Sequence, residues 1–490
     1  MKDIVLATIN AKWIHPSLAL RLLKANLDFL EDRCEIIEFN LRQPLAEKLA
    51  YFHAASLKIL GVSVSIWNHT ATLELFEELE KIWAAQNKKP VIVLGGPEVS
   101  HLPKEANIFR YADYVICGEG EIAFRTLCEN ILTGTQPCQS QKFIYAEPVN
   151  FNEIKSAYHL YTDEDIAKKL IYVEASRGCP FNCEFCLSAV KDEREQSSVV
   201  REFPLEPFFA QMDVLVRRGV KTFKFLDRTF NLDVARALRI CEFFLEKIEE
   251  RKEHVQKSSL PQSNIIVHFE MVPSLFPPEL RKILTRFPPG TLRLEIGIQT
   301  FNSEVAARIG RPSNPEKELE TICFLRERTN AIIHAGLIAG LPGEDIESFG
   351  VGFDRLWLAL SETDKTSAAE HQYPCAEIQL GILKLLPGAP ISRHNNAFGM
   401  RYNHSPPYEI EETSSMSAVD IGRIKNFARF WELIVNRGLV DWPSKNVNKD
   451  VFKKFLTLSD LLYSRFGRNW GIGKDELLEA VKSMAEFSET

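Results

Sequence analysis

Three cysteines, Cys179, Cys183 and Cys186, stand in the stretch YVEASRGCPFNCEFCLSA with the spacing Cys-x3-Cys-x2-Cys. Thiolates are the ligands of iron–sulfur clusters, usually four to a cluster. Three close thiolates can hold three irons of a 4Fe–4S cluster and leave the fourth open, and an open position separates a catalytic metal site from a structural one. A zinc site with a distant fourth ligand draws on the same residue types, and a further cysteine could close the cluster. Cys375, just ahead of a strand-like run, could sit near a site mouth as a proton or hydrogen donor, or be a buried inert thiol. Cys34, Cys117, Cys128, Cys241 and Cys323 lie in apolar contexts and read as core.

The composition limits the setting for this chemistry. A chain of 490 residues holds two or three domains. The apolar run in MKDIVLATIN is too short for a secretory signal, and no segment approaches the ~18 apolar residues of a membrane span. The expectation is a cytoplasmic protein with no membrane partner, in which ten cysteines serve metal, catalysis or burial rather than disulfides. A net charge of -7 gives no support for broad binding to nucleic acid. The sequence does not name a substrate: a small molecule or a peptide is the expectation, with lipid and RNA left open and RNA mildly disfavoured by the acidic charge.

The elements that must position the cysteines form two alternating series. The first has strand-like runs at 3–9, 34–39, 58–65, 90–95 and 112–117, with helical spacing at 16–30, 43–53, 70–86 and 120–132. This predicts a doubly wound, five-stranded parallel sheet, a Rossmann-like α/β domain over 1–140, with its ligand at the carboxyl ends of the strands. Residues 141–168 read as a connector. A second series over 169–394 has strands in LIYVEAS, KTFKFLD, NIIVHFE, LRLEIGIQ, AIIHAGLIAG and EIQLGILKLL. It predicts a partial (β/α)6 barrel of the TIM type, with chemistry at the carboxyl ends of its strands. The cysteine loop follows the first of these strands. Residues 395–490 read as a small helical domain, with helices at 417–437, 449–466 and 474–486, and FARFWELIV as a packing face that could also wall a cavity.

In the first domain, loops at strand ends fall at Asn10–Ser17, Ser63–Ser65 and Gly95–Gly96, and the Ser-x-Ser and Gly-Gly turns carry small residues. Small residues and free backbone suit the close approach of a large planar or tail-bearing cofactor.

The cysteine spacing, with Phe185 before the last thiol, resembles the radical S-adenosylmethionine (SAM) superfamily, and the likeness extends over ~169–390. The resemblance implies a 4Fe–4S cluster on Cys179, Cys183 and Cys186, with Phe185 near the adenine of SAM. LRLEIGIQTFNSEVAARIGR resembles the fourth-strand segment of the coproporphyrinogen-dehydrogenase branch, which implies that Gln299 meets the ribose or methionine part of SAM and Arg311 its carboxylate. HFEMVP resembles the third-strand segment and makes Glu270 a candidate for the ribose hydroxyls. FLDRTFN ends the second strand, and Asp227 or Thr229 could take the SAM ammonium. GLIAGLPGE resembles the fifth-strand segment, with Gly340 and Gly343 letting backbone approach the nucleoside. Relatives often carry an Asp where this chain has Gly336.

The first domain, with ADYVICGEGE near its close, resembles the cobalamin-binding domains of cobalamin-dependent radical SAM proteins. By that resemblance Asn10, His15, Ser63, Ser65, Gly95 and Gly96 would meet cobalamin. The Asp-x-His-x-x-Gly motif that supplies a lower cobalt ligand in other cobalamin domains is missing. His15 is the nearest histidine, and Trp13 or Trp67 could cover the lower face instead or be core.

The order of domains resembles the methyltransferase-like subfamily with a C-terminal helical domain of unknown function. It implies cleavage of SAM to a 5′-deoxyadenosyl radical, removal of hydrogen from an unactivated carbon, and methyl transfer from methylcobalamin, with flavodoxin or ferredoxin as electron donor. Two other readings use the same residues: cobalamin-assisted cyclisation, oxidation or rearrangement without methyl transfer, and a non-catalytic cobalamin-binding sensor.

Overall fold

The computed structural model describes residues 2–54, 57–135, 141–190, 200–258, 264–361, 376–440 and 450–485. Its N-terminal part is one parallel sheet of β1 (Ile4–Asn10), β2 (Cys34–Asn40), β3 (Ile59–Ser63), β4 (Val91–Gly95), β5 (Tyr114–Cys117) and β6 (Phe143–Tyr145), in the order β2-β1-β3-β4-β5-β6. The sheet has six strands where the sequence pattern predicts five. The extra strand, three residues long, lies in the stretch read as a connector, and so short a run carries too little periodicity to stand out.

All seven residues of β1 are buried, as expected of a central strand covered on both faces. One face packs Val5, Ala7 and Leu60 under Phe52, Phe76 and Trp83. The other packs Ile4, Leu6 and Ile59 under Leu20, Phe124 and Leu127. The helices that cover these faces are α1 (Leu18–Ala25), α2 (Leu45–Ala54), α3 (His69–Gln86) and α4 (Gly120–Thr133).

The second sheet is a six-stranded partial barrel of β7 (Ile171–Val173), β8 (Thr222–Phe225), β9 (Ile266–Met271), β10 (Leu292–Gln299), β11 (Ile332–Ala339) and β12 (Ala376–Ile382), each hydrogen-bonded in parallel to the next. Burial alternates along β10 and β11. Leu292, Leu294 and Ile296 face the outer helices, while Glu295 and Gln299 lie on the less buried face.

Three C-terminal helices follow: α5 (Ala418–Trp431), α6 (Val451–Phe466) and α7 (Lys474–Ala485). Phe427, Trp431 and Phe455 join Phe353 in one aromatic cluster, and this cluster is continuous with the barrel's core. FARFWELIV is thus a packing face. The division drawn at 394 crosses a shared apolar core. Among the described residues, no helix is long and apolar enough to cross a membrane.

Candidate functional site

The cysteine loop leaves β7 and is fastened at several points. The Asp227 carboxylate accepts from the Ala175 amide at 3.0 Å and from the Ser176 hydroxyl at 2.5 Å. Burial pushes Asp227 up to about 6. Its oxygens are thus engaged in holding the start of the loop. Thr229, two residues on, is buried with its hydroxyl 3.5 Å from Cys179 Sγ.

Further along, the Glu184 amide donates to the Ile309 carbonyl at 3.0 Å, and the Ile391 amide donates to the Glu184 carbonyl at 3.0 Å. The buried Glu184 carboxylate meets Arg393 Nε at 3.0 Å and His394 Nε2 at 2.9 Å. Gly310, at φ +65°, leaves room for the loop: a Cβ there would stand 2.8 Å from the Asn182 carbonyl oxygen.

The Cys186 amide donates to the Cys183 carbonyl at 2.9 Å, and Cys186 Sγ accepts from the Ser188 amide at 3.4 Å. Cys183 is buried, which pushes its thiol up against the pull of Arg311. Among the described residues, no three His, Cys, Asp or Glu side chains gather around a single ion.

Arg311 and Gln299 meet beside the loop. Arg311 donates through Nε to the Ile298 carbonyl at 3.2 Å and through Nη2 to the Gly297 carbonyl, while Nη1 lies 3.7 Å from Cys183 Sγ. All three nitrogens therefore already have protein partners. Gln299 has φ +71° beside a register shift in β10, a backbone conformation that side-chain-bearing residues rarely adopt. Its amide lies over Gly297, where a Cβ would stand 2.6 Å from Gln299 Nε2. A Cβ on Gly336 would stand 4.0 Å from Gln299 Oε1, so the glutamine occupies the space beside this glycine.

Glu270 is half-buried, and burial pushes it up to about 7 against the pull of Arg228. Phe185 packs on the barrel core. Gly340 has φ +86°, and the side a Cβ would take is filled by Ile410 at 2.6 Å, a contact with the C-terminal region. At Gly343 that side is filled by Arg308. Cys375 lies outside the described residues. Of the other thiols read as core, Cys34, Cys117, Cys128 and Cys241 are buried and Cys323 is half-buried.

A cavity of about 1060 Å³ joins the two halves. Its walls include Ser63, Gly95, Gly96 and Gly118 from the sheet, and Glu174, Cys179 and Arg228 from the barrel. It extends inward past Leu6, Gly61, Val93 and Phe124 as an apolar slot. Gly61 narrows no further because it has no side chain: a Cβ would stand 2.8 Å from Leu6 Cδ2. Gly96 has φ +105°, and a Cβ there would stand 2.5 Å from the Val64 carbonyl oxygen. A cavity of this volume, lined by glycines, charged side chains and apolar side chains, has room for a large ring system.

The residues predicted for this ligand divide. Ser63, Gly95 and Gly96 line the cavity; Asn10, His15 and Ser65 are not among its lining residues. Asn10 donates to Glu38 at 3.1 Å, and the Ser65 amide donates to Asn68 Oδ1 at 2.8 Å. His15 Nδ1 lies 2.8 Å from the Tyr172 hydroxyl of β7, and burial lowers the pKa of the imidazole. Trp13 and Trp67 are 45% and 51% exposed, so neither is core.

The cavity also shows residues the sequence reading passed over: His101, Glu119, Glu121, Arg177, Arg201 and Arg228. GEGE and SRGCP stand in segments already singled out, but an ion pair across 56 positions leaves no mark in local spacing.

Comparison with known proteins matches two family models to the chain. A B12 binding domain model matches residues 4–128, and a Radical SAM superfamily model matches residues 173–352. An uncharacterised methyltransferase of Pyrococcus horikoshii is 25% identical over 326 residues, covering 62% of this chain and 66% of that protein. The chain thus spans a little under two thirds of that curated relative.

Two solved structures share the fold. TsrM, a radical SAM methyltransferase of Kitasatospora setae solved with cobalamin and a [4Fe-4S] cluster, has a TM-score of 0.61 at 16% identity over 99% of this chain and 100% of its own. OxsB, a cobalamin-dependent SAM radical enzyme solved with aqua-cobalamin and SAM, has a TM-score of 0.65 at 16% identity over 99% of this chain and 79% of its own.

Proposed function

We propose that this chain, a radical SAM enzyme with an N-terminal B12-binding domain, transfers a methyl group to an unactivated carbon of a small-molecule or peptide substrate. The observation that carries the reading is the shared cavity: the glycine-lined strand ends of the sheet and Cys179 of the barrel open onto one space. When bound, a 4Fe–4S cluster with SAM supplies a carbon-centred radical and cobalamin supplies the methyl group.

The chain's own residues hold and orient. Cys179, Cys183 and Cys186 would hold the cluster through their sulfurs. Arg311 props the loop from below through Cys183, and Gln299 presents its amide beside it. Glu270, pushed up to about 7, is partly protonated near neutral pH and can donate as well as accept toward ribose hydroxyls. Gly96, at φ +105° against the Val64 backbone, makes the tight turn that brings this strand end to the cavity. Holding the reacting groups close is the largest contribution such a scaffold makes. A small one-electron carrier such as flavodoxin or ferredoxin would supply the reductant. The methyltransferase names of the Pyrococcus horikoshii relative and of TsrM support the choice of methyl transfer.

The test is anaerobic reconstitution with iron, sulfide and hydroxocobalamin, followed by reductant and SAM bearing a trideuteromethyl group. Release of 5′-deoxyadenosine, label on the corrinoid, and a labelled methyl on a compound from a metabolite extract are expected. Release of 5′-deoxyadenosine with a product of unchanged or lower mass would reject methyl transfer.

A further inference from the structure

Arg177 lies two residues before Cys179, and its guanidinium crosses from one domain to the other. Nη2 donates at 2.7 Å to Glu121 Oε1 at the start of α4, and at 2.7 Å to Glu174 Oε1 at the end of β7. Nε donates to Glu174 Oε2 at 3.1 Å, and Nη1 lies 3.5 Å from Glu119 Oε2. The side chains involved are largely withdrawn from solvent: 16% exposed for Arg177, 10% for Glu174 and 6% for Glu121.

A second arginine completes the joint. Arg201 pairs with Glu119 and donates to the Val149 carbonyl at 2.9 Å, while the Val149 amide donates to Glu119 Oε2 at 2.8 Å. The rings of Phe151 and Phe203 stack with centroids 3.8 Å apart, and the Arg177 guanidinium lies 5.3 Å and 5.6 Å from their centroids. Arg177 and Arg201 also pair through the short antiparallel strands Ser176–Arg177 and Arg201–Glu202.

Two facts separate this joint from ordinary domain packing. Glu119, Glu121, Glu174 and Arg177 all line the shared cavity, as do Gly118 and Cys179 on either side. The grip therefore sits at the level of the two cofactors. A planar guanidinium bonded to two carboxylates also sets direction as well as distance, which a lysine cannot do.

We propose that Arg177 is a positioning residue that sets the separation between the iron–sulfur cluster and the corrinoid by tying the cysteine loop to Glu121 of the B12-binding domain. The inference rests on the reading that both cofactors share the cavity. An error of ~1 Å in such a separation is enough to cost about a hundredfold in rate.

The experiment measures distance rather than turnover. The holoenzyme is prepared with cobalamin as Co(II) and with the cluster reduced, so that both are paramagnetic, and pulsed EPR reads the dipolar coupling between them. Glu121→Gln and Arg177→Met are expected to keep cobalamin and to broaden or shift the distance distribution by roughly 1 Å or more. Arg177→Lys should recover only part of the wild-type distribution.

If Arg177→Met sheds its cluster, Glu121→Gln carries the test alone, because it changes a residue of the other domain and leaves the Arg177–Glu174 contact in place. Iron lost from Glu121→Gln with cobalamin retained would count for the proposal, since Glu121 touches no thiol. A wild-type distribution in Glu121→Gln with both cofactors loaded overturns it. Failure of the wild-type protein to hold both cofactors would instead overturn the proposed function.

Discussion

The two parallel sheets use their strands differently. In the N-terminal sheet β1 is buried along its whole length, and both faces are covered by apolar side chains. Chemistry is left only at the strand ends, where Ser63, Gly95 and Gly96 border the cavity. In the barrel, alternate residues face a lumen. Lys224 pairs with Glu295 at 2.7 Å, His268 lies 3.1 Å from the same carboxylate, and His334 meets Glu377 at 2.8 Å. The two imidazoles stack with centroids 5.6 Å apart. An open sheet offers an edge to a ligand it must cradle, whereas a partial barrel offers an edge and a polar interior. The difference fits the proposed function, in which the sheet seats a large ring system and the barrel binds a charged cosubstrate.

The strongest way to separate the halves is Cys183→Ala. Absorbance near ~400 nm and SAM cleavage should both fall to background, because a lost ligand opens the cluster. Cobalamin should remain bound. Iron analysis, the visible spectrum and 5′-deoxyadenosine release check this, and SAM cleavage at the wild-type rate would sink the site assignment.

The converse change is Gly96→Val. Its Cβ would meet the Val64 carbonyl in a backbone conformation at φ +105°, which costs on the order of 1–3 kcal/mol. Cobalamin retention should drop about tenfold or more, the equivalent of ~1.4 kcal/mol, while iron content holds. Corrinoid and iron quantification on one preparation would decide it.

A smaller effect sharpens the picture of the lumen. Glu270 rises from its ordinary 4.5 to about 7 on folding, chiefly by burial. Between those values the native state keeps a proton that the unfolded state gives up, so stability falls as pH rises through the window and is level above it. Glu270→Gln removes this loss. Relative to wild type, the variant should gain up to about 3 kcal/mol between pH 4.5 and pH 7. Denaturant unfolding at pH 5 and pH 8 measures it, and a pH-independent difference would remove Glu270 from the buried, protonated class. Glu295 moves the other way: burial raises it too, but His268 and Lys224 against its carboxylate outweigh that and hold it down at about 2.

The smallest change is His15→Phe. It deletes one hydrogen bond to Tyr172, worth ~0.5–1.5 kcal/mol. The corrinoid spectrum should stay as in wild type, since His15 is not among the residues lining the cavity. An altered spectrum would extend the cobalamin site to the first loop and blur the line between the sheet's edge and the domain interface.

Much of this was legible beforehand because it is local. Strand positions in both sheets follow from apolar runs, and the cysteine loop follows from spacing that must suit one cluster whatever surrounds it. Gln299 was named only through the resemblance of its segment; its left-handed backbone beside Gly297 is a feature of the fold. The sixth strand was missed because three residues of β6 take their conformation from pairing with β5 rather than from their own pattern.

By itself, then, the sequence determined two parallel α/β units and the triplet of thiols between them, since periodicity and ligand spacing are short-range properties of the chain. Tertiary structure alone decided that Arg177 bonds Glu121, that Arg311 turns its guanidinium to backbone and Cys183, that Ile410 closes the side of Gly340, and that His15 meets Tyr172 instead of the cavity. Each is a contact between residues 56 to 157 positions apart, apart from the backbone bonds of Arg311. Such contacts depend on how two cores dock, and no local period records that.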